Sequence, residues 1–231
     1  MERDDVVAPL VDAIRMLTHA ELVDYSGHAS TRRDAVSFYI NSGASIRPIV
    51  TAADIVAIDF DGKPVDAGST TDSTVRRGVS PPLEFPLHAE IYRARPDVRA
   101  IMHTHPKWST LLTMTGVPFR PVYPQGALLG DVPVFDSPLS VNTKEMGARV
   151  AGELGPGPAL LLKSHGAIIV GTDIVECFAL ALYLEENASR QYLAMQIGTP
   201  YVLNDDEREA CRRLGTPSLY RKAWDYHRVK V

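Results

Sequence analysis

A single α/β domain with a sheet at least partly antiparallel is the fold this sequence predicts, on three observations. Helical and strand-like stretches alternate along the chain, with no internal repeat and no low-complexity linker. One strand-like run ends at Asp61-Gly62, a hairpin-type pair that joins antiparallel neighbours. The 231 residues suffice to bury one full core, so nothing forces a second domain. The expected unit runs over residues 1–231, with a C-terminal tail from about residue 198.

Taken in order, Val7, Leu10, Val11, Ile14 and Leu17 recur at helical spacing, which predicts an amphipathic N-terminal helix. Asp24 to Ser30 is rich in turn residues. Val36, Phe38 and Ile40 alternate as in a strand, and Asp54 to Phe60 is another. The polar segment from Gly68 to Gly78 reads as a loop. Pro86 suits the first turn of a helix whose buried stripe would be Leu87, Ile91 and Ala94. A strand through Val98 and Ile101 then ends at Pro106. Pro121 to Pro138 is irregular, and residues 142–153 read as a helix. Ala159–Leu162 and Ala167–Val170 are short strands on either side of His165-Gly166. Asp173 and Glu176 form a capping-box pattern before a long helix running toward Gln196. Tyr220, Trp224, Tyr226 and His227 make the tail aromatic, a surface for packing on a neighbour.

Composition narrows the function. The net charge is -4 with acids and bases interspersed, which leaves no basic stripe for nucleic acid and no polybasic membrane patch. No apolar run approaches the ~18 residues needed to span a bilayer. Met1-Glu2-Arg3-Asp4-Asp5 lacks the basic-then-apolar order of a signal peptide. Cys177 and Cys211 have no ligand-like spacing, so no disulfide framework is expected. A cytoplasmic protein acting on a small molecule is the expectation.

Chemistry concentrates in three places. His103 and His105 are two apart in a strand, so both imidazoles point to one face. Two neutral imidazoles side by side pack poorly in a core but ligate a metal well. His165 follows sixty positions after His105, and Glu84 precedes the pair. Together they make a metal site.

These motifs, in order, carry a resemblance. Gly27-x-x-Ser30-x-Arg32, Glu84-x-Pro86-x-His88-x-x-Ile91-Tyr92, Pro96-Asp97-Val98, His103-Thr104-His105-Pro106 and His165-Gly166 resemble the class II aldolase/adducin family over about residues 5–197. The resemblance implies a three-layer α/β/α sandwich around a largely antiparallel central sheet. It also implies a homotetramer with active sites at the subunit interfaces. By position, His103, His105 and His165 match the family's metal-binding histidines, and Glu84 its acidic ligand or acid/base group. One divalent ion per subunit is implied, zinc or manganese, with iron as a further option. His88 falls where the family also carries histidine, in a supporting rather than ligating place. Tyr123 lies near where the aldolases place a tyrosine proton donor from a neighbouring subunit; core packing is the alternative.

The departures set the substrate. The sugar-phosphate aldolases carry Gly-Asn-x-Ser at the first motif and Ser-Ser before the glutamate, and these groups hold the phosphate. Here the residues are Gly27-His28-Ala29-Ser30 and Pro82-Leu83. Proline has neither hydroxyl nor N–H, and leucine offers only apolar surface. A phosphate there would lose charge-assisted hydrogen bonds worth about 1.5–3 kcal/mol each. The variant motifs resemble the family's metal-dependent decarboxylases of hydroxylated aromatic or pyridine carboxylates. On that reading Gly27, Ser30, Arg32 and Leu83 contact substrate, Arg32 through its carboxylate. Glu84 or His28 protonates the ring carbon. Arg33 reads as a solvated turn residue. The alternatives are a sugar-phosphate aldolase or epimerase, a non-haem iron oxygenase and a non-catalytic adducin-like scaffold.

Overall fold

A computed structural model describes residues 3–65 and 79–231; the polar Gly68–Gly78 segment lies outside the described residues. The strands are β1 (His28–Arg32), β2 (Ser37–Asn41), β3 (Ile55–Asp59), β4 (Ala100–Thr104), β5 (Val134–Phe135), β6 (Ala159–Leu162) and β7 (Gly166–Gly171). They form one sheet in the order β3-β2-β1-β4-β7-β6-β5. Every neighbouring pair is antiparallel except β5–β6, so the sheet is mixed but mostly antiparallel.

The helices are α1 (Arg3–His19), α2 (Phe85–Ala94), α3 (Lys107–Thr115), α4 (Lys144–Leu154), α5 (Ile174–Ile197), α6 (Asp205–Arg212) and α7 (Pro217–Arg228). Strand side chains alternate between faces, and the core divides accordingly. Ala100 and Met102 of β4, with Ala167 and Ile169 of β7, pack with α1 and α5. Ile101, Ile168 and Val170 pack with Leu87, Ile91 and Tyr92 of α2 and with Val150 and Leu154 of α4. Each fully buried aliphatic side chain contributes about 1.5–3 kcal/mol, so both clusters are needed to hold the central strands flat between them. His103 is two residues beyond Ile101 and therefore faces the α2 side.

Several sequence expectations are corrected by packing. β1 begins inside the stretch read as turn-rich, and β5 and a 3₁₀ turn at Pro124–Leu129 lie inside the one read as irregular. α3 begins directly after Pro106 and had no apolar periodicity to announce it. Asp173 does cap α5, accepting from the Glu176 N–H at 2.8 Å. The Glu176 carboxylate, however, returns to Thr172 N and Oγ1, so the reciprocal box is displaced by one residue. The tail folds as α6 and α7 onto its own chain: Trp224 is buried edge-on against Phe178 of α5, with centroids 5.7 Å apart. That anchor replaces the packing on a neighbour expected of Trp224. Both cysteines are free, Cys177 being buried and Cys211 partly exposed. Among the described residues no helix is long and apolar enough to cross a membrane.

Candidate metal centre

Four elements deliver the site. β4 carries His103 to the end of the sheet, and the His105 N–H donates to the Leu22 carbonyl at 2.8 Å, holding the next turn of chain. His165 sits in the tight β6–β7 turn, where Ser164 adopts φ 55° and the His165 N–H donates to Leu162 at 3.1 Å. Glycine must follow it: a Cβ on Gly166 would stand 2.2 Å from the Thr104 carbonyl oxygen. Only that close approach brings the His165 turn against β4. Glu84 occupies the N-cap of α2 but makes no cap bond. Its Oε1 instead accepts from the Val141 N–H at 2.7 Å.

The hydrogen-bond partners fix the imidazole tautomers. His103 Nδ1 donates to the Ala167 carbonyl at 3.1 Å, and His105 Nδ1 faces the Asp24 carboxylate at 3.2 Å. Both Nε2 atoms are then left as lone pairs, and they face each other at 3.2 Å. Two lone pairs at that range repel unless a cation lies between them. Glu84 Oε2 stands 3.4 Å from His103 Nε2, and Oε1 stands 3.9 Å from His165 Nε2. His103, His105 and His165 each offer a ligand atom within 4.8 Å of the others. Atoms bound tetrahedrally to one cation at about 2.0–2.1 Å are about 3.4 Å apart, so the donor set fits a divalent ion. Asp24 and the Ala167 carbonyl orient the imidazoles from behind, as such partners do in metal sites.

Electrostatics agree. Burial lowers the pKa of His105 and of His165, and His103 adds to both effects, which keeps the rings in the neutral ligating form. Burial would raise Glu84, but its His103 and His28 neighbours outweigh that and hold the carboxyl well below its ordinary range. Burial depresses His28 to about 4 even though Glu84 pulls the other way.

The remaining predicted residues divide. His28 joins the cluster, its Nε2 3.5 Å from Glu84 Oε2. Gly27 stands beside it with φ +20°, and a Cβ there would meet Val23 Cγ1 at 2.5 Å. Leu83 is 83 % exposed next to Glu84. Ser30 is buried, and its hydroxyl is engaged by His88 and Tyr92 rather than open to a ligand. Arg32 is not brought to the site. Its buried guanidinium donates to the carbonyls of Val98, Tyr92 and Arg95 and lies over the Tyr92 ring, so carboxylate recognition by Arg32 is corrected to a structural brace. Arg33 lies 5.8 Å from the centre of the Tyr39 ring. Tyr123 lies under the Arg190 guanidinium on α5, 4.1 Å from it, and within this chain it does not reach the imidazoles. The sequence reading missed Asp24, Tyr92 and the Val141 amide. Asp24 was hidden in a turn-rich stretch, where its carboxylate also accepts from the Ser26 N–H. Tyr92 had a signal: it follows His88 by four residues and so shares its helix face.

Comparison with known proteins follows the same lines. Residues 8–192 match the family described as Class II Aldolase and Adducin N-terminal domain. The chain is 28% identical over 235 residues to a 3,4-dihydroxyphthalate decarboxylase of Arthrobacter keyseri, covering 95% of this chain and 91% of that protein. It is 30% identical over 205 residues to a 5-methylthioribulose-1-phosphate/5-deoxyribulose-1-phosphate aldolase of Rhodospirillum rubrum, covering 87% and 86%. A solved L-fuculose 1-phosphate aldolase superposes with a TM-score of 0.78 at 25% identity, covering 93% of this chain and 97% of that one. The chain belongs to the class II aldolase and adducin family.

Proposed function

We propose that this member of the family is a metal-dependent carbon–carbon lyase that decarboxylates a hydroxylated aromatic carboxylate. The observation that carries the reading is the contrast at Glu84: it belongs to a metal-ligand cluster, yet the residues before it, buried Pro82 and exposed Leu83, have no hydroxyl. A flat ring suits that apolar edge, and a phosphate does not. The likeness to 3,4-dihydroxyphthalate decarboxylases supports the same substrate class.

His103, His105 and His165 would hold the ion, with Glu84 as further ligand or acid/base group. A divalent cation held there would supply Lewis acidity that stabilises negative charge on the substrate. Glu84, ionised at rest, accepts the proton of the ring hydroxyl as that oxygen docks. When the C–C bond breaks, the electron pair stays on the ring carbon, and Glu84 returns the proton to it. His28 faces the same carboxylate and supports that exchange. Zinc or manganese fits the imidazole-rich set, with iron as a further option. The reading extends to a homotetramer in which a neighbour's Tyr123 completes the site. It extends also to a three-layer sandwich, supported by the separate cores on the two sheet faces.

A second reading, aldol cleavage of a sugar phosphate, is favoured by the two aldolase likenesses. One screen separates them. Purified protein is supplied in turn with zinc, manganese and ferrous iron. Carbon dioxide is measured from 3,4-dihydroxyphthalate, aldehyde from L-fuculose 1-phosphate, and oxygen uptake with both. Carbon dioxide release that a chelator abolishes supports the decarboxylase. Aldehyde release alone installs the aldolase, oxygen consumption an iron oxygenase, and a protein that takes up no metal the scaffold.

A further inference from the structure

Beneath the His103, His105 and His165 set, on the α2 side of the sheet, lies a continuous file of buried polar groups; His28, at its upper end, also falls in a second candidate ligand group with Glu84 and His103. His28 and Ser30 are two apart on β1 and share a sheet face, and His88 and Tyr92 are four apart on α2 and share a helix face. His28 is also the direct cross-strand partner of His103, which sets the file at the edge of the ligand cluster. The contacts run without a break. Tyr92 Oη is 2.8 Å from Ser30 Oγ, and Ser30 Oγ is 2.7 Å from His88 Nδ1. His88 Nε2 is 2.7 Å from His28 Nδ1, and His28 Nε2 faces Glu84 Oε2 at 3.5 Å.

We infer that Tyr92, Ser30 and His88 are positioning residues that fix, through His28, an N–H edge toward the Glu84 carboxylate. Proton accounting gives the direction. If Tyr92 donates to Ser30, Ser30 donates to His88 Nδ1, and His88 Nε2–H donates to His28 Nδ1. His28 must then carry its own proton on Nε2, directed toward Glu84 Oε2 3.5 Å away, and every hydrogen within the file from Tyr92 to His28 Nδ1 has an acceptor. In the reverse direction His28 Nε2 would present a lone pair to an anion, and the Tyr92 proton would lose the acceptor it has in Ser30. Burial makes that second arrangement costly at both ends. The file also has no outlet: Tyr92 is enclosed by Phe38, Phe60 and the Arg32 guanidinium. It therefore orients and does not conduct. The Val141 N–H holds Oε1, and the His28 Nε2 edge faces Oε2 at 3.5 Å, which biases the plane of the carboxylate relative to His103. The assignment holds whichever reaction the site performs.

The test reads proton positions directly. In the zinc-loaded protein, imidazole ¹⁵N shifts should show His28 and His88 both protonated at Nε2, with Nδ1 as acceptor. A His28 carrying its proton on Nδ1, or exchanging rapidly between nitrogens, overturns the inference. Substitution then separates orientation from bulk. His88→Gln keeps one acceptor and one donor at nearly the imidazole spacing, whereas His88→Leu fills the space without either. Zinc affinity by competition with a chromogenic chelator should fall about 10–100-fold in His88→Leu and stay within about threefold of the parent in His88→Gln. Equal affinities, or an unmoved His28 tautomer in His88→Leu, would sink the idea. Should His88→Leu fail to fold, Ser30→Ala serves the same purpose. It removes the donor to His88 Nδ1 and should visibly mix the two tautomers of His28; an unchanged spectrum refutes the file.

Discussion

Glu84 and Glu185 are both mostly buried carboxylates beside the starts of helices, and they do opposite work. Glu185, on α5, takes the N–H groups of Trp108 and Ser109 at 2.6 and 2.9 Å and the Ser109 hydroxyl at 2.9 Å, so it caps α3. Glu84 sits at the start of α2 and leaves those amides alone, turning to three imidazoles and one distant backbone amide. Their acidities separate accordingly. Burial raises Glu185 despite its backbone donors, while its His103 and His28 neighbours drive Glu84 down. The contrast shows that burial and helix position do not mark a working carboxylate. What marks it is the identity of its partners: a carboxylate spent on amides is structural, and one facing imidazole rings is available for chemistry.

The largest effect expected from breaking this contrast is at Glu84. Glu84→Gln keeps shape and removes the anion, so kcat/KM should fall about a thousandfold, near 4 kcal/mol, with the thermal midpoint nearly unchanged. A variant that retains activity would place the acid/base work elsewhere. Next comes acid sensitivity. His28 is depressed to about 4 in the folded chain. Between pH 6.5 and 4 the unfolded chain therefore binds a proton that the native chain refuses, and stability must fall as pH falls. The His28 share of that loss, about 3 kcal/mol, should appear in urea midpoints across that window and be missing from His28→Asn, whose remaining slope comes from the other depressed histidines such as His105 and His165. A slope identical in both proteins would remove His28 as the cause. Glu185→Ala should cost about 2 kcal/mol by orphaning its three donors. That is a drop of roughly 4–8 °C in midpoint, with metal content unchanged. Metal loss in this variant would dissolve the distinction between the two carboxylates.

Periodicity made the long elements legible. The spacing of Val7, Leu10, Val11, Ile14 and Leu17 located α1, and the bulky alternation in Val36, Phe38 and Ile40 located β2. β1 was illegible because its residues, His28-Ala29-Ser30-Thr31-Arg32, are small or polar on both faces; what stabilises them is the hydrogen-bonded file and the Arg32 brace, not apolar burial. α3 escaped for a related reason: its start is stabilised by Glu185, 77 positions away from Trp108. In the site, His103 and His105 were legible because a two-residue spacing is a local rule. Asp24 and the Val141 amide enter through tertiary contact alone, and no pattern along the chain marks them. Arg32 was misread for the converse reason. A motif places a guanidinium on the right strand, but only packing decides whether it faces a ligand or three backbone carbonyls.

Leu83 gives the smallest and most selective test. It adjoins Glu84 and is 83 % exposed, so it contributes little to folding and its replacement should leave the midpoint in place. A flat ring seated against it would cover part of an isobutyl group, worth about 1 kcal/mol. Leu83→Ser should therefore raise KM for a dihydroxyphthalate about fivefold and leave kcat alone, because such contact is equal in ground and transition states. The serine also supplies a hydroxyl of the kind the phosphate-binding relatives carry at this place. If aldehyde release from L-fuculose 1-phosphate rises while KM for the aromatic acid stays constant, the apolar edge does not select the ring. Glu84 would then serve an aldolase whose phosphate is held elsewhere. If KM rises alone, Leu83 ties the neighbouring Glu84 to the aromatic acid.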